Sequence, residues 1–396
     1  MSGHAIPDAV RPVEPVEPVG PVEPVGPVEP VGPVEPVGSV DVVCLGESMV
    51  TFLPSRPGRL ADVPSFTRAI GGAESNVACV LAAAGHRAKW VGRVGRDGFG
   101  DHLVDVIGGH GVDVTAVGRD PHRPTGIYFR TDEDRATDAH EVVYYRAGSA
   151  ASAMSPATVP YESVDGARIL HLTGITAALS GDCLALVREL TAPRPGRPLV
   201  SFDVNHRPAL WRAGDAPGVL LGLARRADVV FVGADEAERL WGLADPRAVF
   251  DALPEPGTVV VKLGGTGAVA VDRGAHEDEG DGVFVPAPRV DVVSPIGAGD
   301  AFAAGFLSAT LRGLGLGARL RHGHLAAAAA LTVPGDLAAP PRRDRADRLA
   351  ALGDEDWGTL HLGPGWTEAD EKDPGRTGDD PRGPGRTGDD QEVRTP

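Results

Sequence analysis

Short apolar runs and segments with helical spacing alternate along the second half of the chain. Strands are predicted at residues 169–172, 199–203, 229–232 and 259–262. Helices are predicted at residues 181–190, 218–225, 235–240, 301–311 and about 323–332. The apolar runs are continuous, which is typical of parallel strands that helices cover on both faces. The pattern predicts an α/β fold with a mostly parallel sheet, to which residues 269–272 and 283–285 add two short strands.

The first half of the chain begins with the same alternation. An apolar run at residues 40–45 has the length of a strand and ends at Gly46 and Glu47. A helix is predicted at residues 77–84, directly after a glycine-rich turn, and another ends near Ile107. An acidic residue at the end of a first strand occupies the edge where open α/β sheets bind ligands.

A hairpin interrupts this alternation near the middle of the chain. Residues 125–131 and 141–146 are rich in β-forming types, and a polar loop at 132–140 separates them. The two runs hold an unusual concentration of aromatic and basic side chains, namely Tyr128, Tyr144, Tyr145 and Arg146. Such a hairpin can close over a small ligand and exclude water, which we favour over an ordinary edge hairpin.

Both ends of the chain have the composition of disordered tails. Residues 9–39 repeat Pro-Val-Glu-Pro-Val-Gly, and proline at about every third position prevents helices and central strands. The sequence PGRTGDD at 374–380 recurs at 384–390 with almost no apolar content. We therefore predict disorder at residues 1–39 and 354–396, and one folded region at residues 40–353.

The charge of the folded region excludes several classes of protein. Residues 1–40 carry −5 and residues 354–396 carry −7, so −5 of the total −17 remains between them. A mildly acidic region without a basic run argues against nucleic acid as the main ligand. The sequence contains no apolar run of membrane-spanning length, no signal segment and three scattered cysteines, which predicts a cytoplasmic protein without disulfides.

One glycine-rich turn carries the candidate chemistry. Residues Gly297, Ala298 and Gly299 lie between a strand-like run and a helical segment, where backbone N–H groups and the helix dipole favour an anion. Asp300 follows them in the first helical turn. A carboxylate beside a bound phosphate can take a proton from a hydroxyl that attacks phosphorus. Taken alone, Asp300 could equally well be an ordinary aspartate in the first turn of a helix.

Other polar residues follow the remaining strands of the second half. Asp203 to Trp211 includes an amide and a guanidinium that can reach an anion, and Glu236 could help hold a hydrated metal. The glycine-rich turn at residues 262–267 could admit a nucleotide. Gly265 and Gly267 also fit a loose dinucleotide motif, but a strand-like run follows them instead of a helix, so a dehydrogenase is disfavoured. The chain has no Walker-type phosphate loop.

These motifs resemble the ribokinase (PfkB-type) family of carbohydrate kinases over about residues 40–350. The resemblance rests on Gly71-Gly72-Ala73 with Asn76, followed much later by the Gly-Ala-Gly-Asp turn at 297–300. Within the family the chain is most similar to 2-keto-3-deoxygluconate kinases, through residues 144–150, 203–211 and 331–336. The fold then expected is a three-layer αβα sandwich with a small β-sheet lid at about residues 50–70 and 122–147.

The resemblance also implies a role for each motif. Asp300 would be the general base for the terminal hydroxyl of the sugar, and residues 297–299 would form the anion hole. The implied sugar contacts are Gly72, Ala73, Glu74, Ser75, Asn76, Tyr128, Tyr144, Tyr145, Arg146, Arg207, Asp300 and Asp336. The implied ATP contacts are Asn205, His206, Arg207, Lys262, Leu263, Gly264, Gly265, Thr266, Gly267, Gly297, Ala298 and Gly299. Mg²⁺ would bind near Glu236.

The substrate expected from the resemblance is a small acidic sugar. Arg146 and Arg207 could pair with the carboxylate of a 2-keto-3-deoxy acid, whereas a neutral hexose would not need two arginines. A fructokinase or another sugar kinase on the same scaffold is the nearer alternative. Gly233 and Ser294 depart from the family pattern. A catalytically inactive relative that binds sugar is therefore the second alternative. The resemblance also implies a homodimer, since lids of this kind often dimerise in the family.

Overall fold

The computed structural model describes residues 40–56, 58–131, 142–211, 215–274 and 282–368. The predicted disorder of residues 1–39 and 369–396 and the predicted loop at 132–140 lie outside these ranges. No helix in the described ranges is long and apolar enough to cross a membrane.

Sixteen strands run through the described residues. They are β1 Val42–Leu45, β2 Met49–Pro54, β3 Phe66–Gly71, β4 Ala88–Val91, β5 Arg93–Gly95, β6 Gly118–Asp120, β7 Ile127–Arg130, β8 Val142–Tyr145, β9 Ile169–Thr173, β10 Leu199–Asp203, β11 Val229–Gly233, β12 Thr258–Lys262, β13 Gly267–Asp272, β14 Val283–Pro286, β15 Arg289–Val290 and β16 His361–Leu362.

Eleven α-helices connect and follow these strands in the same ranges. They are α1 Ala73–Ala83, α2 Gly98–Gly109, α3 Gly174–Ala178, α4 Gly181–Leu190, α5 Ala216–Ala224, α6 Ala234–Trp241, α7 Pro246–Ala252, α8 Ala298–Leu311, α9 Leu316–Leu331, α10 Arg343–Ala350 and α11 Asp354–Thr359.

The main sheet has eight strands in the order β14-β13-β12-β11-β10-β9-β1-β4. The strands from β12 to β4 are parallel, and β13 and β14 join antiparallel at one edge. This agrees with the continuous apolar runs, because strands covered on both faces have no polar side. The carboxyl ends of β1, β9, β10, β11 and β12 therefore share one edge, where ligands of open α/β sheets bind.

Two apolar cores lie on opposite faces of this sheet. Along β1, Val42 and Cys44 join the core formed with α1, α8 and α9, whereas Val43 and Leu45 join the core formed with α4 and α5. Successive strand residues point to opposite faces, so one strand contributes to both cores. The predicted three-layer αβα sandwich is confirmed.

A separate four-stranded sheet forms where the lid is predicted, in the order β3-β2-β7-β8. The predicted hairpin is present as the antiparallel pair β7 and β8. Phe52 stacks on Phe129 with ring centroids 4.8 Å apart, and Phe66 meets Phe129 edge-on at 5.1 Å. This aromatic face holds the lid strands together, and the opposite face carries Tyr128 and Tyr144, whose rings lie 5.4 Å apart.

Helix α9 begins seven residues before its predicted start at residue 323. The residues before that point include several arginines, which obscure the apolar spacing, but Leu316 and Leu320 are buried in the core. Arg319 reaches Asp272 at 2.9 Å, so its charge is paired at the sheet edge.

The predicted domain boundary at residue 353 is too early. Helix α11 and strand β16 lie beyond it, and β16 pairs with β15. Trp357 and Trp366 are buried in the same core as α8 and α9, and the Trp357 indole N–H donates to the Pro286 carbonyl at 2.8 Å. Two buried tryptophans hold this segment on the domain, although its neighbours in sequence are mostly Gly, Pro and acidic residues.

Candidate active site

The N-terminus of α8 lies at the carboxyl edge of the main sheet. Gly297 precedes the helix in the left-handed region, with φ 78°, and a Cβ there would collide with the main-chain oxygen of Asp336. Only glycine satisfies both conditions. The helix that follows has 14 residues, so its first N–H groups form a favourable anion site beside Gly297, Ala298 and Gly299.

Asp300 is a half-buried carboxyl group in the first turn of α8. Removal from water raises the pKa of Asp300 to about 7. The Asn76 amide donates a hydrogen bond to the carboxylate at 2.9 Å, which lowers the pKa but does not cancel the effect of burial. A carboxyl group with a pKa near neutrality can accept a proton and release it again. The Asn76 side-chain oxygen is buried without a hydrogen-bond partner in the described chain, so it can accept from a ligand hydroxyl.

Lys262 supplies a positive charge at this turn. Its ammonium forms an ion pair with Asp203 at 2.8 Å, and a Cβ on Gly299 would lie 3.7 Å from its nitrogen. Burial lowers the pKa of Lys262, but the carboxylates of Asp203 and Glu236 outweigh it, so the pKa is raised. The lysine therefore stays charged beside the anion site.

Glu236, the predicted metal contact, caps the start of α6. Its carboxylate accepts from the backbone N–H of His206 at 2.9 Å and of Gly233 at 2.8 Å. Burial raises the pKa of Glu236, and the nearby charge of Asp203 adds to the effect. No group of three or more His, Cys, Asp or Glu side chains suited to a metal occurs in the described ranges. A single carboxylate fits Mg²⁺ that keeps most of its waters and is held mainly by phosphates.

The segment after β10 brings Asn205, His206 and Arg207 to the same edge. Asn205 adopts φ 37°, an unusual value for a residue with a side chain, and it is buried. The Arg207 guanidinium is exposed and makes no hydrogen bond or ion pair with the described residues. Its charge lowers the pKa of Asp300, which indicates that it lies on the catalytic side of the cleft.

The turn at 263–267 joins β12 to β13. Gly264 has φ 58° and Gly267 has φ 145°, so both glycines adopt conformations that other residues avoid. A strand follows this turn, as predicted, and no dinucleotide-binding βαβ unit begins there.

Asp336 lies where the lid meets the domain. The Tyr128 hydroxyl donates to one carboxylate oxygen, and Arg130 forms an ion pair with the other at 3.0 Å. Burial raises the pKa of Asp336, although Arg130 and Tyr128 act in the opposite direction. Sequence reasoning missed Arg130. The available signal was its position two residues after Tyr128, on the same face of a strand.

A second lid arginine is also paired. Arg146 contacts Glu47, whose other carboxylate oxygen accepts from the Ser149 hydroxyl at 2.6 Å. Glu47 and Ser149 are missing from the predicted site residues. Because Arg146 already has a buried carboxylate partner, it is less suited to a substrate carboxylate than predicted.

Three predicted sugar contacts point elsewhere. Tyr145 lies on the aromatic face of the lid, 6.1 Å from the Phe129 ring, because adjacent strand residues point to opposite faces. Glu74 has no exposed surface, and its carboxylate accepts from Thr173 and Thr176. Ser75 is equally buried and donates to the Gly72 carbonyl. These side chains support the cleft from behind, and the expectation that they contact sugar is corrected.

Three further predicted residues lie next to residues described above. Gly72 packs so closely on the Glu47 carbonyl that a Cβ would lie 2.6 Å from it, and Ala73 begins α1. Tyr144 lies beside Tyr128 on the cleft face of the lid.

Comparison with known proteins agrees with this geometry. The model of the pfkB family of carbohydrate kinases matches residues 40–343. A 2-dehydro-3-deoxygluconokinase of Bacillus subtilis is 35% identical over 311 residues, which cover 77% of this chain and 94% of the relative.

Two solved structures share the fold. The 2-dehydro-3-deoxygluconokinase of Thermotoga maritima is 26% identical with a TM-score of 0.70, over 79% of this chain and 99% of that one. An uncharacterised sugar kinase of Pyrococcus horikoshii in complex with ATP is 25% identical with a TM-score of 0.66, over 77% of this chain and 96% of that one. The chain therefore belongs to the pfkB family of carbohydrate kinases.

Proposed function

We propose that this kinase transfers the γ-phosphoryl group of ATP to the terminal hydroxyl of 2-keto-3-deoxygluconate, also called 2-dehydro-3-deoxygluconate. The observation that carries the proposal is Asp300, a carboxyl group with a pKa near 7 at the start of a helix that favours an anion. Relatives and a solved structure with the same named activity support the choice of sugar. The ATP-bound neighbour supports the choice of nucleotide.

In the proposed reaction, Asp300 takes the proton of the sugar hydroxyl as its oxygen bonds to the γ-phosphorus. The bond between that phosphorus and ADP breaks, and ADP leaves with the electron pair. Asn76 orients the carboxylate through its amide. The neutral amide leaves Asp300 with the basicity that the step needs.

The charge that develops on the phosphoryl group is stabilised by fixed donors. Backbone N–H groups of residues 297–299 and the ammonium of Lys262 lie on the same side of the cleft. Preorganised donors of this kind often supply the largest share of catalysis. Mg²⁺ bound with the nucleotide would neutralise further phosphate charge, and Glu236 would be the carboxylate that holds it through water.

Arg207 is the better candidate for recognising the substrate carboxylate. Its guanidinium has no partner in the described chain, whereas Arg146 is paired with Glu47. A charged hydrogen-bond pair contributes about 1.5–3 kcal/mol, or roughly 10- to 100-fold in affinity. An acidic sugar should use this interaction and a neutral ketose should not.

The test is ADP release with Mg-ATP and a panel of 2-keto-3-deoxygluconate, fructose, ribose and gluconate. Selective turnover of the keto-deoxy acid is expected. Arg207→Gln should lose about 10- to 100-fold in kcat/KM with that substrate and little with any neutral sugar that is turned over. Arg239→Gln, which removes an exposed helix arginine, is the matched control. Selective turnover of fructose would overturn the choice of sugar.

A further inference from the structure

Arg130 is a buried arginine in the lid that the proposed reaction does not use. It ends β7, and both its side chain and that of Asp336 have about one-twentieth of their surface exposed, at 4% and 5%. The two groups are 3.0 Å apart. A buried guanidinium needs a carboxylate partner, because an unpaired buried charge is strongly destabilising. The desolvation of both ions makes even the pair costly, so the pair by itself is weak evidence of a stabilising role.

The partner of Arg130 contacts three parts of the cleft. Asp336 accepts from Tyr128, which lies on the same lid strand. A Cβ on Gly71, at the first glycine-rich turn, would lie 2.9 Å from the Asp336 carboxylate. The main-chain oxygen of Asp336 packs directly against Gly297, the residue before the catalytic helix. Asp336 therefore joins the lid to both glycine-rich turns.

We propose that Arg130 is a positioning residue that keeps Asp336 ionised and oriented as the acceptor for a sugar hydroxyl, and so fixes the lid against the turn at residues 297–300. The inference rests on the proposed function, because it takes Asp336 as a sugar contact. Arg130 itself acts through Asp336.

Charge explains why an arginine is needed at this position. The titratable and charged groups that face Asp336 are Arg130 and Tyr128. Burial favours the protonated carboxyl, which would be a donor instead of an acceptor and would compete with the Tyr128 hydroxyl. The guanidinium, which stays charged at all working pH values, favours the ionised form. Tyr128 and Arg130 then leave the carboxylate with further lone pairs for a ligand.

The second lid arginine follows the same arrangement. Arg146, directly after β8, contacts the buried carboxylate of Glu47, which lies two residues after the end of β1. The lid is therefore joined to the domain by two ion pairs from neighbouring strands. Asp336 differs from Glu47 in its contact with the catalytic turn, so the Arg130 pair should influence sugar binding more specifically.

The first experiment uses the full chain and the variants Arg130→Gln and Arg130→Lys. Arg130→Gln should raise KM for the sugar by about 10- to 100-fold and leave KM for ATP within about twofold. The ratio of its kcat/KM for the sugar to that of the unchanged protein should recover partly between pH 6 and pH 9, because Asp336 without its guanidinium ionises at a higher pH, whereas the ionisation of Asp300 affects both proteins. Arg130→Lys, which keeps the charge, should restore part of the loss. Arg68→Gln changes an exposed arginine of the same lid sheet and is the control for general damage to the lid.

The second experiment needs no turnover. Aspartate labelled with ¹³C at the carboxyl carbon reports the titration of Asp336, and Asp336→Asn identifies its signal. The pKa of Asp336 should be higher in Arg130→Gln than in the unchanged protein. Equal pKa values, or an equal rise of KM for sugar and ATP, would overturn the inference. If the unchanged protein phosphorylates none of the sugars, the proposed function fails, and this titration still decides whether Arg130 controls Asp336.

Discussion

The proposed catalytic turn, residues 297–300, and the lid junction, where Asp336 meets Tyr128 and Arg130, each hold a carboxyl group at least partly away from water, but their surroundings differ. The nearest hydrogen-bond partner of Asp300 is the neutral amide of Asn76, and the pKa of Asp300 is about 7. The direct partners of Asp336 are the guanidinium of Arg130 and the hydroxyl of Tyr128. Arg207 and Lys262 lower the pKa of Asp300 only through their charge, without a direct hydrogen bond.

This difference separates two uses of the same functional group. A general base has to gain a proton and lose it in every cycle, so a directly bound arginine would make it too weak a base. A group that positions a sugar hydroxyl has to keep one protonation state, so a direct ion pair suits it. Burial raises the pKa of both carboxyl groups, and the type of direct partner separates their proposed uses.

The largest effect is expected at the catalytic turn. Asp300→Asn should lower kcat by about 10²- to 10⁴-fold, because an amide cannot take the proton of the sugar hydroxyl. Its melting temperature should not fall, since the change removes a carboxylate that burial destabilises. ADP-release kinetics and thermal unfolding measure the two quantities.

The matched control for that variant is Asp182→Asn, which changes an exposed first-turn aspartate of α4. It should leave kcat unchanged. If Asp300→Asn kept more than a tenth of the activity, Asp300 would not be the general base.

The next effect is expected at the lid junction and concerns stability as well as binding. Asp336→Asn leaves the Arg130 guanidinium buried without a carboxylate, which costs about 3–5 kcal/mol in the free energy of unfolding. Chemical denaturation measures this loss, and sugar KM should rise in parallel. A variant as stable as the unchanged protein would mean that the ion pair is not the constraint described here.

The glycine-rich turn before α8 could be found from the sequence because its features are local. Glycines between a strand and a helix, followed by Asp300, bring the proposed anion site and the proposed base together within four residues. The αβα layers follow for a similar reason, since continuous apolar strands require cover on both faces. Residues whose partners are distant in sequence were harder to interpret.

Arg130 and Trp357 are two residues whose partners could not be predicted from the sequence. Strand alternation places Arg130 on the face of Tyr128, but it does not show that Asp336 lies opposite. Trp357 is in a stretch rich in Gly, Pro and acidic residues, and composition alone suggested a tail. Its burial depends on a groove formed by distant elements, including the Pro286 carbonyl that accepts from its indole. Tyr145, in contrast, could have been separated from Tyr144 by strand periodicity.

The smallest effect is expected at Asn76. Its amide donates to Asp300 and lowers the pKa of that carboxyl, so Asn76→Ala should raise the pKa further. A hydrogen bond to a charged group contributes about 1.5–3 kcal/mol, and partial solvation of this site places the expected change near the lower end. The acidic limb of the pH profile of kcat/KM should move to higher pH. A limb that stayed in place would mean that Asn76 does not set the basicity of Asp300.

The most direct test of the account is the pH dependence of kcat/KM for the sugar at saturating Mg-ATP. Asp300 acts in its ionised form, so activity should be complete above its pKa and should fall tenfold per pH unit below about 7. The residual activity of Asp300→Asn should lack this ionisation. A profile that stays level down to about pH 5 would contradict the assignment of Asp300 as a base whose pKa burial has raised.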